Sequence, residues 1–425
     1  MGNFDMAVGI NGNTMDQGST TLYQKLYPKL FKGSQTITLE GIEFTVGWDV
    51  QSAPTFILSP PANAEALLRS HLMGMAAHYP VDSKAMVDTY FTAMGGSIFQ
   101  MSMADVEMTV SGGSNSGTDK VSVTIVVEAN SAGGKMTLNP IKATGKTTNP
   151  SDQSLLNKVI LPQAMNMART ILSGINLPPL KFGSVQLTAP ALIVSNNHIV
   201  ALANLAGKSV PSAPFPSSWP QQPFFALLSP EAKIEMAKMS TSYINGKQFG
   251  KSGKLGFKIG DLHYNANITM GNLTISDAGA TSIHFSTTGT GNVGAGIKIG
   301  CSNIGLNYDL YAKPGISGTI SLSIVNGVDI QAETSNLDTF VLIMKPTGNP
   351  VEWILSAVTD PLLQVIAAAF SPLITKLFDG YKYNTGPLPS IPINVEGVSL
   401  TATPSGVSLS SYNGMMLASG NVTIS

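Results

Sequence analysis

The sequence predicts an α+β chain of two tandem halves, each joining twisted antiparallel strands to one long amphipathic helix. Three observations lead there. A proline-dense stretch, Gly207–Pro223, sits almost at the midpoint of the 425 residues and reads as an extended, semi-rigid connector. One order of elements can be read on both sides of it: strand, helix, alternating strands, long apolar helix, closing strands. Charged residues make up only 12% of the chain and hydrophobic ones 43%, an unusually apolar globular composition able to bury a sizeable core.

Each half opens on an apolar strand, Phe4–Ile10 and Phe224–Leu228, followed by a helix. In the second half Ser229 is placed to cap that helix, Pro230 to take its first position and Gly246 to stop it. In the first half Leu22, Leu26 and Leu30 recur every four residues, with Gly33 after them. Stretches rich in Gly, Ser and Thr follow, alternating apolar and polar residues. Val121, Thr124, Val126 and Glu128 fall in one; Leu255, Phe257, Ile259, Ile275, Ile283 and Phe285 fall in others. A period of two bounded by Gly, Asn and Ser is the mark of twisted antiparallel strands. The first half alone carries an insertion, about 63–96, with helix patterns at Ala64–Ala77 and Ser83–Met94 joined at Pro80.

A long helix comes next in each half. Ser154–Gly174 places Leu155, Val159, Ile160, Ala168, Ile171 and Leu172 on one side. Trp353–Phe378 carries the stripe Ile354, Val358, Leu362, Ile366, Phe370 and Ile374. Pro162 and Pro361 are expected to bend or interrupt these helices. After them, Val185–Ala189 (VQLTA) lines up with Val398–Ala402 (VSLTA), and closing strands are expected at Ile199–Leu205 and Met415–Val422. The expected division is therefore 1–206, a linker at 207–223, and 224–425.

Composition excludes several function classes. Lys and Arg number 24 against 25 Asp and Glu, a net charge of -1 with no basic run, which excludes nucleic-acid binding and gives no steering to strongly anionic membranes. No run approaches the ~20 apolar residues of a membrane span, so the chain is not expected to be integral to a bilayer. Cys301 is the only cysteine, so no intramolecular disulfide forms. Met1–Met15 shows no secretory signal, which suggests a cytoplasmic protein, one released by another route, or a mature form.

Reactive motifs are absent or incomplete. Gly289, Gly291 and Gly294 match G-x-G-x-x-G, but Ile297 and Ile299 continue a strand pattern, so a Gly-rich hairpin is expected there. Three fragments that imitate the end of a P-loop, at Gly145, Gly207 and Gly250, have Pro140, Leu202 and Asn245 where its first glycine belongs. His71 and His78 lie seven apart, not three or four, and His198, His263 and His284 are scattered, so no metal site is expected. Asp5, Asp16, Asp49 and Asp360 read better as caps and loop residues than as acid–base pairs. A Ser–His–Asp triad assembled in space stays open, but no catalytic residue and no cofactor is assigned.

The order of elements, together with Leu177–Leu205 and the linker, resembles the tubular lipid-binding superfamily typified by the bactericidal/permeability-increasing protein. The resemblance implies that each half wraps a highly curved sheet around its long helix. The linker and a central sheet would then join the halves into a boomerang. The chain lacks the disulfide of many animal members and their basic tip. It is nearer in character to bacterial members such as the accessory proteins encoded beside clostridial neurotoxins, whose Gly-Trp-Asp near the start is similar to Gly47-Trp48-Asp49 here. A sheet wrapped round one helix leaves a groove floored by apolar side chains, which suits lipid or another hydrophobic ligand. The 19 methionines would supply adaptable lining. Periodicity nominates Ile160, Met165, Ile171, Leu172, Leu362, Ile366, Phe370 and Ile374 as that lining. The expected function is non-enzymatic lipid binding or transfer. The alternative is a toxin or toxin-accessory scaffold that uses the same fold to meet a protein partner or a membrane surface, with the 63–96 insertion as its contact.

Overall fold

The computed structural model describes residues 4–62, 66, 97–112, 116–132, 135–173, 185–212, 214–238, 245–257, 260–299, 302–313, 315–347, 382–388 and 390–425. The expected helix at 353–378 and most of the 63–96 insertion lie outside them. The chain divides into two compact units. The first is Met1–Ser229 with Leu388–Ser408 and Leu417–Ser425; the second is Pro230–Pro387 with Leu409–Met416.

Up to the proline-rich stretch the order is β1 (Met6–Asn11), α1 (Gly12–Leu26), β2 (Lys32–Leu39), β3 (Ile42–Val50), β4 (Thr55–Ile57), β5 (Ile98–Ser111), β6 (Gly117–Ala132), β7 (Lys135–Thr147), α2 (Leu161–Ser173), β8 (Ala191–Ser195) and β9 (His198–Ala203). Beyond it come β10 (Phe224–Leu228), α3 (Pro230–Lys238), β11 (Gln248–Phe257), β12 (Gly260–Gly279), β13 (Ser282–Ile299), β14 (Ser302–Lys313) and β15 (Ile316–Val325). The chain ends with β16 (Asp329–Leu337), β17 (Val341–Pro346), β18 (Lys382–Pro387), β19 (Ile391–Val395), β20 (Val398–Tyr412) and β21 (Met415–Ile424). Two curled antiparallel sheets and one long helix fit a tubular fold.

The first curled sheet, in the first unit, runs β2-β3-β5-β6-β7 with β4 on β5. Val121, Val123, Ile125, Val127 and Ala129 alternate as the buried face of β6, and Met101, Met103 and Met108 bury their flexible side chains on β5. The long helix lies against β7 and β6. The helix comes close at Gly145, where an added Cβ would stand 3.0 Å from Leu161 Cδ2 and from Ser122 O. That Gly-Lys-Thr fragment is thus a strand that makes room for a helix. Pro162 acts as expected: the turn before it widens to a π-helix over Leu156–Ile160, and the Leu161 N–H donates to Leu156 O. Asp119 anchors the chain just before the 3-10 turn Pro150–Asp152 that leads into the helix, accepting from the Thr147 and Thr148 hydroxyls, Lys120 N–H (2.8 Å) and Asn149 N–H (3.2 Å). Burial alone would raise its pKa, but these donors outweigh it and hold the carboxyl below its ordinary range.

The central sheet has the order β8-β9-β1-β10-β21-β20-β19. At its middle β1 and β10 pair antiparallel, with Gly9 opposite Phe225 and Ala7 opposite Leu227. The phenyl ring of Phe225 covers Gly9, where a Cβ would be 2.3 Å from the ring. Both flanking hairpins close in two residues at positive φ, Asn196–Asn197 for β8–β9 and Asn413–Gly414 for β20–β21, the turn that matches strand twist.

The curled sheet of the second unit runs β11-β12-β13-β15-β16-β18. It forks at β13, whose first part pairs β15 up to Thr287 and whose second part pairs β14 from Thr290. One face gathers Ala266, Ile268, Met270, Phe285, Val293, Tyr308 and Leu310 into an apolar core. At the fork the Thr287 and Thr288 hydroxyls both donate to Gly271 O, at 2.7 and 2.9 Å, where β12 bulges.

Gly289, Gly291 and Gly294 lie inside β13, within the expected Gly-rich hairpin, where β12 and the side chains at the fork crowd Gly289 and Gly291. Three expectations are corrected. Leu30 is beyond the first helix, which ends at Leu26; Pro28 keeps Tyr27 extended (ψ 137°). Gly33 is a β2 residue across which Trp48 of β3 lies. Val185–Ala189 forms only isolated bridges, at Val185 and from Leu187 to Leu205, where Val398–Ala402 opens the 15-residue β20. Pro190, with no N–H, ends any ladder there.

The β13 glycines give a paired prediction. A Cβ on Gly291 would stand 1.9 Å from the backbone oxygen of Asn267, whereas one on Gly294 finds nothing nearer than 3.7 Å. Gly291→Ala is expected to cost about 2 kcal/mol in urea unfolding, through forced separation of β12 and β13. Gly294→Ala should stay within about 0.5 kcal/mol. Equal midpoints for the two variants would refute this account.

Candidate functional site

Of the eight nominated groove residues, four fall among the described ones. Ile160, Ile171 and Leu172 are buried on the side of the long helix that meets β7 and β6, and Met165 is half-buried. Ile160 is 1% exposed. Leu362, Ile366, Phe370 and Ile374 lie outside the described residues.

An open cleft of about 460 Å³ lies elsewhere in the first unit, where three distant segments converge. β4 is three residues long and is tied down on two sides. It pairs with β5, and the Phe56 N–H donates to the Asp16 carboxylate of α1 at 2.6 Å. Burial raises the Asp16 pKa more than this hydrogen bond lowers it. Past β4 the chain turns tightly, with Ser59 N–H donating to Ile57 O and Gln100 Nε2 to Ser59 O. That delivers Leu58, 1% exposed, to the cleft floor.

β8 contributes Ile193 and Val194, both buried, to the same floor. The third wall is Pro214, Phe215 and Pro216 of the proline-rich stretch. That stretch is pinned at both ends. Lys208 Nζ donates to Asp5 at 2.9 Å, and Trp219 stacks on Phe225 at 5.9 Å and tilts against Phe4 at 5.8 Å. Between the pins, Asn196 Nδ2 donates to Ser217 O. Ser59, Pro60, Ser195, Asn196 and Ser217 complete the lining, and none of the lining residues is ionisable. The arrangement can desolvate an apolar chain against aliphatic and proline surface, with neutral hydroxyl and amide groups along its edge.

None of the cleft residues was nominated from sequence, because the three segments share no local pattern. The nearest signal was Phe215, an aromatic between two prolines in a stretch read only as a connector. Other titratable residues stay apart. Asp5 serves the junction of β1, β9 and β10, and Asp49 pairs with Lys32 at 2.7 Å. Asp360 is outside the described residues. His198 is buried, its ring nitrogens facing Asn196 O and Gln222 O and its edge on Phe225. Glu128 Oε1 and Trp219 Nε1 are buried without a hydrogen-bond partner among the described residues, and burial raises the Glu128 pKa. Among the described residues no three His, Cys, Asp or Glu side chains could hold a metal ion, and no helix is long and apolar enough to cross a membrane.

No family model matches the chain, and no curated protein does. Among solved structures it is similar to P47 of Clostridium botulinum E1, at 8% identity over 99% of this chain and 100% of that one, TM-score 0.46. P47 from Clostridium botulinum A2 is similar at 10% identity over 98% and 97%, TM-score 0.46. A lipopolysaccharide binding protein is similar at 10% identity over 99% of each chain, TM-score 0.35.

Proposed function

We propose that this chain is a non-enzymatic lipid-binding or lipid-transfer protein that shelters acyl chains on apolar surface. The observation that carries this reading is the cleft of about 460 Å³, whose floor is buried aliphatic side chain and whose lining bears no ionisable group. Ligand sites of that size and character take mostly apolar molecules. The proposal includes a tandem architecture, 1–206 and 224–425 joined by 207–223. The mirrored order β8-β9-β1 and β20-β21-β10 about the β1–β10 pair supports it, as do the matching two-residue turns. In this reading Ile160, Met165, Ile171 and Leu172 line a groove of the first half, and Leu362, Ile366, Phe370 and Ile374 line one in the second.

The test is extraction of the purified protein with organic solvent and identification of what is released. Stoichiometric lipid is expected, with loss from Phe215→Asp if the cleft holds it and from Phe370→Asp if the second groove does. A lipid-free extract, from protein that stays empty after incubation with liposomes, would sink the reading. A toxin-accessory role would then be pursued by partner capture.

A further inference from the structure

We propose that the cleft formed by Leu58, Val194 and Phe215 takes a single-chain amphiphile with a neutral, hydroxyl-bearing head group, the class of a monoacylglycerol. The inference rests on the lipid-binding reading and adds the ligand's chain count and head-group chemistry. Volume sets the first. The cleft's ≈ 460 Å³ lies toward the lower end of the range of pockets that take one small, mostly apolar ligand, which favours a single chain over two.

Charge sets the second. An anionic or cationic head brought against Leu58, Ile193 and Val194 would lose hydration, and no cation or carboxylate stands in the lining to replace it. A neutral head meets suitable partners there. The hydroxyls of Ser59, Ser195 and Ser217 make no hydrogen bond among the described residues, so each can both donate and accept. Asn196 spends its amide N–H₂ on Ser217 O, which orients its carbonyl oxygen as an acceptor for a ligand hydroxyl.

The test offers delipidated full-length protein an equimolar mixture of 1-monoolein, oleate and lysophosphatidylcholine, with dioleoylphosphatidylcholine vesicles as a separate arm. Retained lipid is read by native mass spectrometry. Retention of 1-monoolein is expected to exceed that of anionic oleate and of zwitterionic lysophosphatidylcholine by about tenfold, with no two-chain lipid in the cleft. Phe215→Asp, at a half-buried position, should abolish that retention, while Ser59→Lys should move preference toward oleate. The monoolein affinity should not change between about pH 6 and pH 9, since no lining group titrates there. Equal or greater retention of oleate or lysophosphatidylcholine would overturn the head-group inference. So would unchanged monoolein retention in Phe215→Asp. Retention of no lipid in any arm would instead count against the lipid-binding reading on which it rests.

Discussion

Lys233→Met is expected to lower the stability of the second unit by about 3 kcal/mol, at unchanged m-value in urea. Lys233 projects from α3 and is 2% exposed, the burial of a core leucine. Its ammonium donates to the carbonyl oxygens of Gly279 and Ser282, the latter at 3.0 Å, and more distantly to Ala280 at 3.5 Å. It also pairs with Asp277. One cation thus gathers the whole turn between β12 and β13, the strand pair on which the forked sheet is built. Methionine keeps most of the stem volume and removes every donor, so the cost falls on the carbonyls left unpaired. Asp277 is 42% exposed and returns to water, which keeps the loss below that of a fully buried ion pair. Lys238→Met is the control. Its partner Glu235 lies on the same helix and both side chains are near half exposed, so a change of less than about 0.5 kcal/mol is expected. Equal urea midpoints for the two variants would sink the account.

Asp5→Asn is expected to cost about 3 kcal/mol near neutral pH, and the cost should shrink as the solution is acidified. Asp5 is 4% exposed just before β1. Its carboxylate accepts from Leu205 N–H at 2.8 Å, Lys208 Nζ at 2.9 Å and Ser229 Oγ at 3.0 Å, so one side chain ties the end of β9, the start of the proline-rich stretch and the start of α3. Burial taken alone would raise the pKa. The Leu205, Lys208 and Ser229 donors and the Lys208 charge outweigh it, and the carboxyl is held below its ordinary 3.8. The sign follows from linkage. A carboxyl with a depressed pKa in the folded state contributes stability that is complete above the unfolded value and is lost as pH falls through the folded one. The wild-type chain should therefore lose stability below about pH 4 more steeply than Asp5→Asn. Parallel acid limbs for the two proteins would show that Asp5 is not the group responsible.

Local patterns were good guides wherever one residue type answers one backbone need. Ser229-Pro230 marks the start of α3, and the stripe through Leu155, Val159, Ile160, Ala168, Ile171 and Leu172 marks the long helix, down to the disturbance ahead of Pro162. Each of these is set within one or two turns of chain by dihedral preference, by the missing proline N–H, or by the 3.6-residue repeat. The same local reading did not say what each β13 glycine is for. A glycine that serves a turn and one that lets a neighbouring strand pass look alike in sequence, and only the 1.9 Å approach at Gly291 tells them apart. The candidate site shows the limit most plainly. Leu58, Val194 and Phe215 each sit in an unremarkable stretch, and nothing in any one of them announces the other two.

By itself, then, the sequence determined the class of the molecule: an apolar, weakly charged α+β chain with a proline-rich midpoint, period-two strands and a long helix whose regular turn is disturbed ahead of Pro162. These follow from short-range sterics and from the need to bury 43% hydrophobic residues. Tertiary structure alone decided that β1 pairs with β10 across more than two hundred residues, that Lys233 closes the β12–β13 turn, and that Asp5 joins three segments. It also placed the cleft away from the helix stripe, against the proline-rich stretch. The physical reason is the same in each case. Strand pairing, buried ion contacts and cavities draw their energy from groups far apart in the chain, and their partners are fixed only once the sheets have curled and closed over them.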